Sequence, residues 1–297
     1  MDVWAGAQDV THWIAGSDDS GWTAPHLAAK AAFNQFSTPP RGPAELEAET
    51  KLHGKLGPLR AEAEATRIGT PDAFVQAYRW RTAQAANCGR VLLIHGWTGQ
   101  ALIMGLFVRP LMQAGFDVVA IDQPAHGQST GRLLNMPIGA RAVLATADRL
   151  GPFTGVITHS FGGQVAALAL EGGPPIGRRF TADRLVTVAC PNSLQRLTQN
   201  FGRGCNFPAD LQTTFEARIS AAAGRPVETV KTGNMLAVAG LPVLAIHDEL
   251  DDEVPFTEAE AIAAAAPNVT LMPMAGLGHR RIIVTSAVIR AAIKFLQ

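Results

Sequence analysis

Ser160 lies in the stretch VITHSFGGQVAALAL (156–170), where an apolar run that reads as the end of a buried strand gives way almost at once to a helical pattern. A hydroxyl at such a corner is presented rather than buried, and the amides of the following helix favour negative charge beside it. A serine hydroxyl is a weak nucleophile. It needs a base to take its proton and an acid to orient that base. Downstream, the chain offers two histidines, His247 in PVLAIH and His279 in AGLGHRRII, and a run of acids, Asp248, Glu249, Asp251, Asp252 and Glu253, in IHDELDDEVPF. An acidic loop is by itself an ordinary solvated turn, and an S-x-G-G corner is as readily a tight structural turn. The chemistry depends on what brings these groups together.

From about residue 90 the chain alternates short apolar runs with longer amphipathic ones. VLLI (91–94), FDVVAI (116–121), GVIT (155–158), RLVTVA (184–189), PVLAIH (242–247) and NVTLMP (268–273) read as strands, and their near-continuous hydrophobicity predicts burial on both faces. Helical patterns fall between or after them at 101–114, 137–150, 161–170, 256–266 and 280–296. This alternation predicts an α/β fold with an open, doubly wound, mostly parallel sheet, whose ligands bind outside the carboxyl ends of the strands. Ser160 sits at such an end. Residues 192–240 are too many for an ordinary loop, and Leu194, Leu197, Phe201, Leu211 and Phe215 give them amphipathic character. They are expected to form a helical cap over one end of the sheet. Residues 74–191 and 241–297 then make the core, with 74–81 as an edge strand. Residues 1–73 form an N-terminal extension, helical in part over 44–65. Trp4, Trp13 and Trp22 lie in its first forty residues and have no place in this scheme, whether they pack back on the domain or mediate association into a homo-oligomer.

Composition narrows the setting. The chain has 297 residues, 47% hydrophobic and 17% charged, enough for a substantial core. Lys plus Arg and Asp plus Glu number 25 each, a balance that gives no footprint for nucleic acid or an anionic membrane. Cys88, Cys190 and Cys205 form no CxxC and cannot all pair, ordinary usage for a reducing compartment. No signal-peptide pattern or spanning apolar run is found, so the expected setting is cytoplasmic, without nucleic-acid or membrane partners. There is no HExxH, GxxxxGK[ST] or GxGxxG, so neither a metal nor an organic cofactor is expected.

Thr158-His159-Ser160-Phe161-Gly162 resembles the nucleophile elbow of the α/β-hydrolase superfamily, small-x-Ser-x-Gly, with Thr158 where the family usually has glycine. The resemblance extends over about residues 74–297. In this family the order is serine, acid, histidine, and the catalytic histidine follows the last strand, which implies His279; His247 ends the preceding strand and is read as structural. The family pattern H-G-x-x-D-x-x-V-P fits 247–255 with Asp248 in place of the glycine, a register that implies Asp251, with Asp252 as runner-up. Some relatives place the acid after the previous strand, but here that position reads Pro191-Asn192. HGWTG (95–99) resembles the HGxxG loop and implies the backbone N–H groups of Trp97 and Phe161 as the oxyanion hole, with His95 bracing the loop. DQPAHGQS (122–129) also matches, its Asp122, His126 and Gly127 shaping the loop beside the site, and His159 packs beneath the nucleophile.

These residues imply acyl transfer on a small-molecule carboxylic ester, with Ser160, Asp251 and His279 as catalytic residues and Trp97, Phe161, Phe201 and Phe207 as substrate-binding ones. A serine nucleophile disfavours dehalogenase and epoxide-hydrolase chemistry, where the family uses aspartate. Lactonase, thioesterase, amidase, C–C hydrolase, perhydrolase and lyase activities share the triad, and a non-catalytic binding protein on the same fold is the competing class.

Overall fold

The computed structural model describes residues 24–40, 43–83 and 88–297; Trp4, Trp13 and Trp22 lie outside them. Among the described residues eight strands form one sheet: β1 Glu64–Gly69, β2 Phe74–Trp80, β3 Arg90–Ile94, β4 Asp117–Asp122, β5 Gly155–His159, β6 Arg184–Val188, β7 Val243–Asp248 and β8 Val269–Met274. They lie in the order β1-β2-β4-β3-β5-β6-β7-β8. β4 and β3 pair in parallel, as do the strands from β3 through β5 and β6 to β8, whereas β1 and β2 run antiparallel. All of β5 and β7 is buried, which is why those stretches are apolar without alternation.

Helices cover both faces. On one lie α4 Met136–Leu150, α5 Phe161–Glu171, α8 Thr232–Ala239 and α9 Phe256–Ala265; on the other lie α3 Val108–Gln113 and α11 Ser286–Leu296. The Asn135 side chain accepts the Ile138 N–H at 3.0 Å and so starts α4. Between β6 and β7 the chain forms α6 Leu194–Gly204 and α7 Ala209–Ala223 before α8. α7 packs against α6 and against α1 Ala24–Ser37, whereas α8 packs against α5 and α9 in the layer that covers the sheet. The stretch 192–240, expected as one insertion, therefore serves two places.

Three expectations are corrected. Residues 74–81 are not an edge: β2 is covered by β1, which lies at the end of the segment expected to be helical and follows α2 Pro43–Ala61. In β1 only Ile68 is buried, so no alternation marked it. Residues 101–114 are not one α-helix. Ala101–Phe107 is a 3-10 segment and α3 begins only at Val108. Pro110 has no N–H, and its ring would meet the Leu106 carbonyl if α-helix continued through it. The last helix is interrupted too, into α10 Gly278–Arg281, a 3-10 turn over Ile282–Val284, and α11. The β-branched run Ile282-Ile283-Val284-Thr285 disfavours continuous helix. The N-terminal extension, whose packing the sequence left open, supplies β1 to the sheet and Ala28, Ala29 and Ala32 to the buried cluster on the α5 face.

Candidate active site

The turn between β5 and α5 carries Ser160 at φ 50° and ψ −125°, a left-handed region that costs a non-glycine residue about 1–3 kcal/mol. Its surroundings hold it there. A Cβ on Gly162 would come within 2.6 Å of the His95 carbonyl oxygen, and one on Gly163 would collide with the Cys190 sulfur. Only glycine lets the helix start this close to the neighbouring strands. Thr158 is accommodated because its hydroxyl points sideways and donates to the Val186 carbonyl on β6 at 3.3 Å.

β8 leads through a short loop into α10, which carries His279, while the loop after β7 carries Asp251. The sheet brings these two strand ends to the serine. His279 Nε2 is 3.0 Å from Ser160 Oγ and His279 Nδ1 is 2.8 Å from Asp251 Oδ2. All three residues are largely buried. Asp251 Oδ1 accepts the amides of Glu253 and Val254 at 2.9 and 2.8 Å, which fixes the carboxylate plane. Burial pushes the Asp251 pKa up, but hydrogen bonds from His247, His279 and the Val254 amide outweigh it and hold the group well below the ordinary carboxylate range. Asp252, the runner-up in the sequence register, is exposed.

One support was not legible beforehand. Asp248, the residue that departs from the family's glycine, is fully buried; it accepts the Leu250 amide at 3.0 Å and the Leu277 amide at 2.8 Å. It thereby ties the loop bearing Asp251 to the loop bearing His279. His159 packs its ring 4.9 Å from that of His279, and its Nε2–H donates to the His279 carbonyl at 2.9 Å. His247 donates from Nε2 to the Val254 carbonyl at 2.8 Å and lies 3.4 Å from Asp251.

The HGWTG loop comes close to the nucleophile, since a Cβ on Gly96 would sit 2.9 Å from Ser160 Cβ. His95 accepts the Gln123 amide on Nε2 at 2.9 Å and donates from Nδ1 to the Gly96 carbonyl at 2.7 Å, so its ring braces the loop. Asp122 accepts the amides of Ala101 and Gln128 at 2.7 and 2.9 Å, joining the loops after β3 and β4. The Phe161 N–H is the first amide of α5 and has no intrahelical acceptor. The rings of Trp97 and Phe161 meet edge to face at 5.6 Å.

Burial lowers the pKa of both inner histidines, His95 well below the ordinary value and His159 to about 3, with the neighbouring His126 charge adding to the first and that of His279 to the second. Both stay neutral when folded, while the unfolded chain protonates near pH 6.5. Falling pH therefore favours the unfolded state, and the His159 contribution is lost progressively from about pH 6.5 down to about 3. The unfolding free energy is expected to drop by up to about 1.4 kcal/mol per pH unit for each histidine below pH 6. Urea titrations at a series of pH values check this. A flat profile from pH 6.5 to 5 would mean that the two rings accept protons in place.

Ser160 and His279 open onto a cavity of about 1080 Å³, whose wall includes Trp97 and Phe161. Phe201 and Phe207, expected there, are not on that wall. Phe201 is fully buried and packs with Phe36, Phe207 and Phe215 at centroid distances of 5.2 to 5.6 Å. Leu194 and Leu197 of α6 reach the cavity, but Phe201, a turn further on, is covered by Phe36 of α1. Among the described residues no group of three or more His, Cys, Asp or Glu is arranged to hold a metal, and no helix is long and apolar enough to cross a membrane.

The sheet order, the strained serine turn and the loops at the strand ends define an α/β-hydrolase fold. The alpha/beta hydrolase family model matches residues 91–290, more than half of the chain, and the chain belongs to that family. Among solved structures it resembles Est1E from Butyrivibrio proteoclasticus, described with ferulic acid bound, at 16% identity and a TM-score of 0.59, covering 78% of this chain and 96% of that one. The esterase Pf2001 of Pyrococcus furiosus is 20% identical with a TM-score of 0.59, covering 79% of this chain and 91% of its own. The N-formylmaleamic acid deformylase of Pseudomonas putida S16 is 19% identical with a TM-score of 0.54, covering 77% and 100%. No curated protein matches the sequence.

Proposed function

We propose that the protein is a serine hydrolase that cleaves carboxylic esters of small to medium apolar substrates through an acyl-enzyme intermediate. The observation that carries this reading is the continuous chain Ser160 Oγ, His279 Nε2, His279 Nδ1, Asp251 Oδ2, with links of 3.0 and 2.8 Å, at the edge of a largely apolar cavity.

His279 takes the Ser160 proton as the oxygen attacks the carbonyl carbon, and ionised Asp251 holds the imidazole in the tautomer whose Nε2 is free to accept. The oxyanion forms against the amides of Trp97 and Phe161, each such donor contributing about 2.7–4 kcal/mol in enzymes of this kind. His279 then passes its proton to the alcohol as it leaves. Water attacks the acyl-enzyme, giving its proton to His279; collapse restores Ser160–OH and releases the acid. Pf2001, named as an esterase, shares the fold, which supports the ester among the acyl substrates.

The test combines hydrolysis of a p-nitrophenyl ester panel with labelling by a fluorophosphonate. The expected result is ester turnover that stops as one phosphonyl group per chain is added, mapped to the peptide holding Ser160. Turnover that continues after Ser160 is fully labelled would overturn the serine mechanism.

A further inference from the structure

The cavity is larger than a small ester needs, lying at the upper end of the usual range for ligand pockets. α5 forms part of its wall. Phe161 and Leu168, seven residues apart on one face of that helix, both line it. Three residues further on the same face, Glu171 holds Arg225, which also lines the cavity, through two hydrogen bonds of 2.7 and 2.8 Å. From Ser160 to Glu171 the helix advances about 16 Å. α7 lines the cavity too, through Ile219, Ala222 and Ala223.

The third side comes from outside the span that the family model matches. Phe33 and Phe36 of α1 line the cavity, and α1 is anchored firmly. Ala28, Ala29 and Ala32 are at most 1% exposed, the Phe36 ring packs on Phe201 and Phe215, and the Ser37 carbonyl accepts the Leu134 amide at 2.7 Å. Leu134 itself lines the cavity.

The two ends differ in chemistry. Near His279, which protonates the leaving alcohol in the reading above, the wall carries Asp252, Glu253 and Arg280, with Arg280 bonded to Glu253 at 2.7 Å. Along α5 the arm is lined mainly by apolar residues, with Asn200 of α6 among them, and it also meets the Arg225–Glu171 pair, whose side chains are 19% and 11% exposed. A methylene chain cannot cheaply displace the remaining water from that pair. We propose that this arm is an acyl channel closed on one side by α1, which takes a single unbranched acyl chain of medium length and stops it at Arg225–Glu171. The polar mouth takes the alcohol. The assignment rests on the ester-hydrolase reading for the meaning of its two ends.

The test uses the full chain and two variants, Ala222→Trp to fill the arm and Phe33→Ala to remove part of the α1 wall, each checked for folding by circular dichroism and thermal melting. Two readouts are taken: kcat/KM for linear and α-branched p-nitrophenyl esters from acetyl to hexadecanoyl, and the Kd of decanoate by calorimetry. The wild type is expected to prefer octanoyl and decanoyl esters over both ends of the series. Ala222→Trp should lower the decanoyl-to-acetyl ratio of kcat/KM and weaken decanoate binding, each by about tenfold or more. Phe33→Ala should raise the rate on branched relative to linear esters. A folded Ala222→Trp with the wild-type decanoate Kd would overturn the channel, whatever its turnover. A wild type that hydrolyses no ester, yet binds decanoate in a way Ala222→Trp abolishes, would overturn the catalytic reading and uphold the channel.

Discussion

Ser160→Ala is expected to remove nearly all ester hydrolysis, a loss on the order of a million-fold in kcat by comparison with another serine hydrolase. The substitution deletes one oxygen and leaves alanine in the same backbone conformation, so the cavity, the amides of Trp97 and Phe161 and the His279–Asp251 pair stay in place. What disappears is the atom 3.0 Å from His279 Nε2. Residual catalysis from substrate binding and oxyanion stabilisation could still exceed the rate in water by about 10³–10⁴-fold. Circular dichroism and melting establish that the variant is folded, and its turnover is measured on the best ester found for the wild type. Wild-type rates in Ser160→Ala would place the nucleophile elsewhere.

Asp251→Asn is expected to cost about 10⁴-fold in kcat, because the corresponding change in serine proteases keeps the geometry and traps the wrong tautomer. The acceptors for the Glu253 and Val254 amides survive on Oδ1, so the loop keeps its shape. The other atom becomes an NH2 facing His279 Nδ1, which must then accept. The imidazole proton moves to Nε2, and the base can no longer take a proton from Ser160. Asp252→Asn, at the exposed neighbour, is expected to cost a small fraction of this. The reverse order of effects would shift the acid by one residue. The two variants are compared by kcat at matched pH, with melting temperatures as the control.

The core of this fold was legible because strands buried on both faces read as unbroken apolar runs, as in β5 and β7. The nucleophile turn and the acidic loop were legible because each is a local pattern of a few residues. Other parts of the site are assembled from distant segments and left no such mark. Asp248 stood out only as a departure from glycine, since its partner Leu277 lies 29 residues away. The cavity wall draws two or three residues from each of several helices, and the buried face of α1 includes Ala28, Ala29 and Ala32, which carry little hydrophobic signal. Phe201 and Phe207 were misplaced for the same reason: periodicity tells which face of a helix is buried, but not whether another helix or open space lies against it.

The hairpin formed by β1 and β2 sets a limit on how far the chain could be trimmed. The family signature begins at residue 91, yet β2 pairs with β4 from Gln76↔Asp122 to Trp80↔Val118. Cut back to the signature, the sheet would end in Val118-Val119-Ala120-Ile121, an uncharged β-prone run with its hydrogen-bonding edge open to any neighbouring molecule. With the hairpin in place, the outermost strand presents exposed Glu64 and Arg67 instead. The segment that looked peripheral to the chemistry thus covers an edge that would otherwise be open, and the sheet includes strands that lie before the stretch by which the family is recognised.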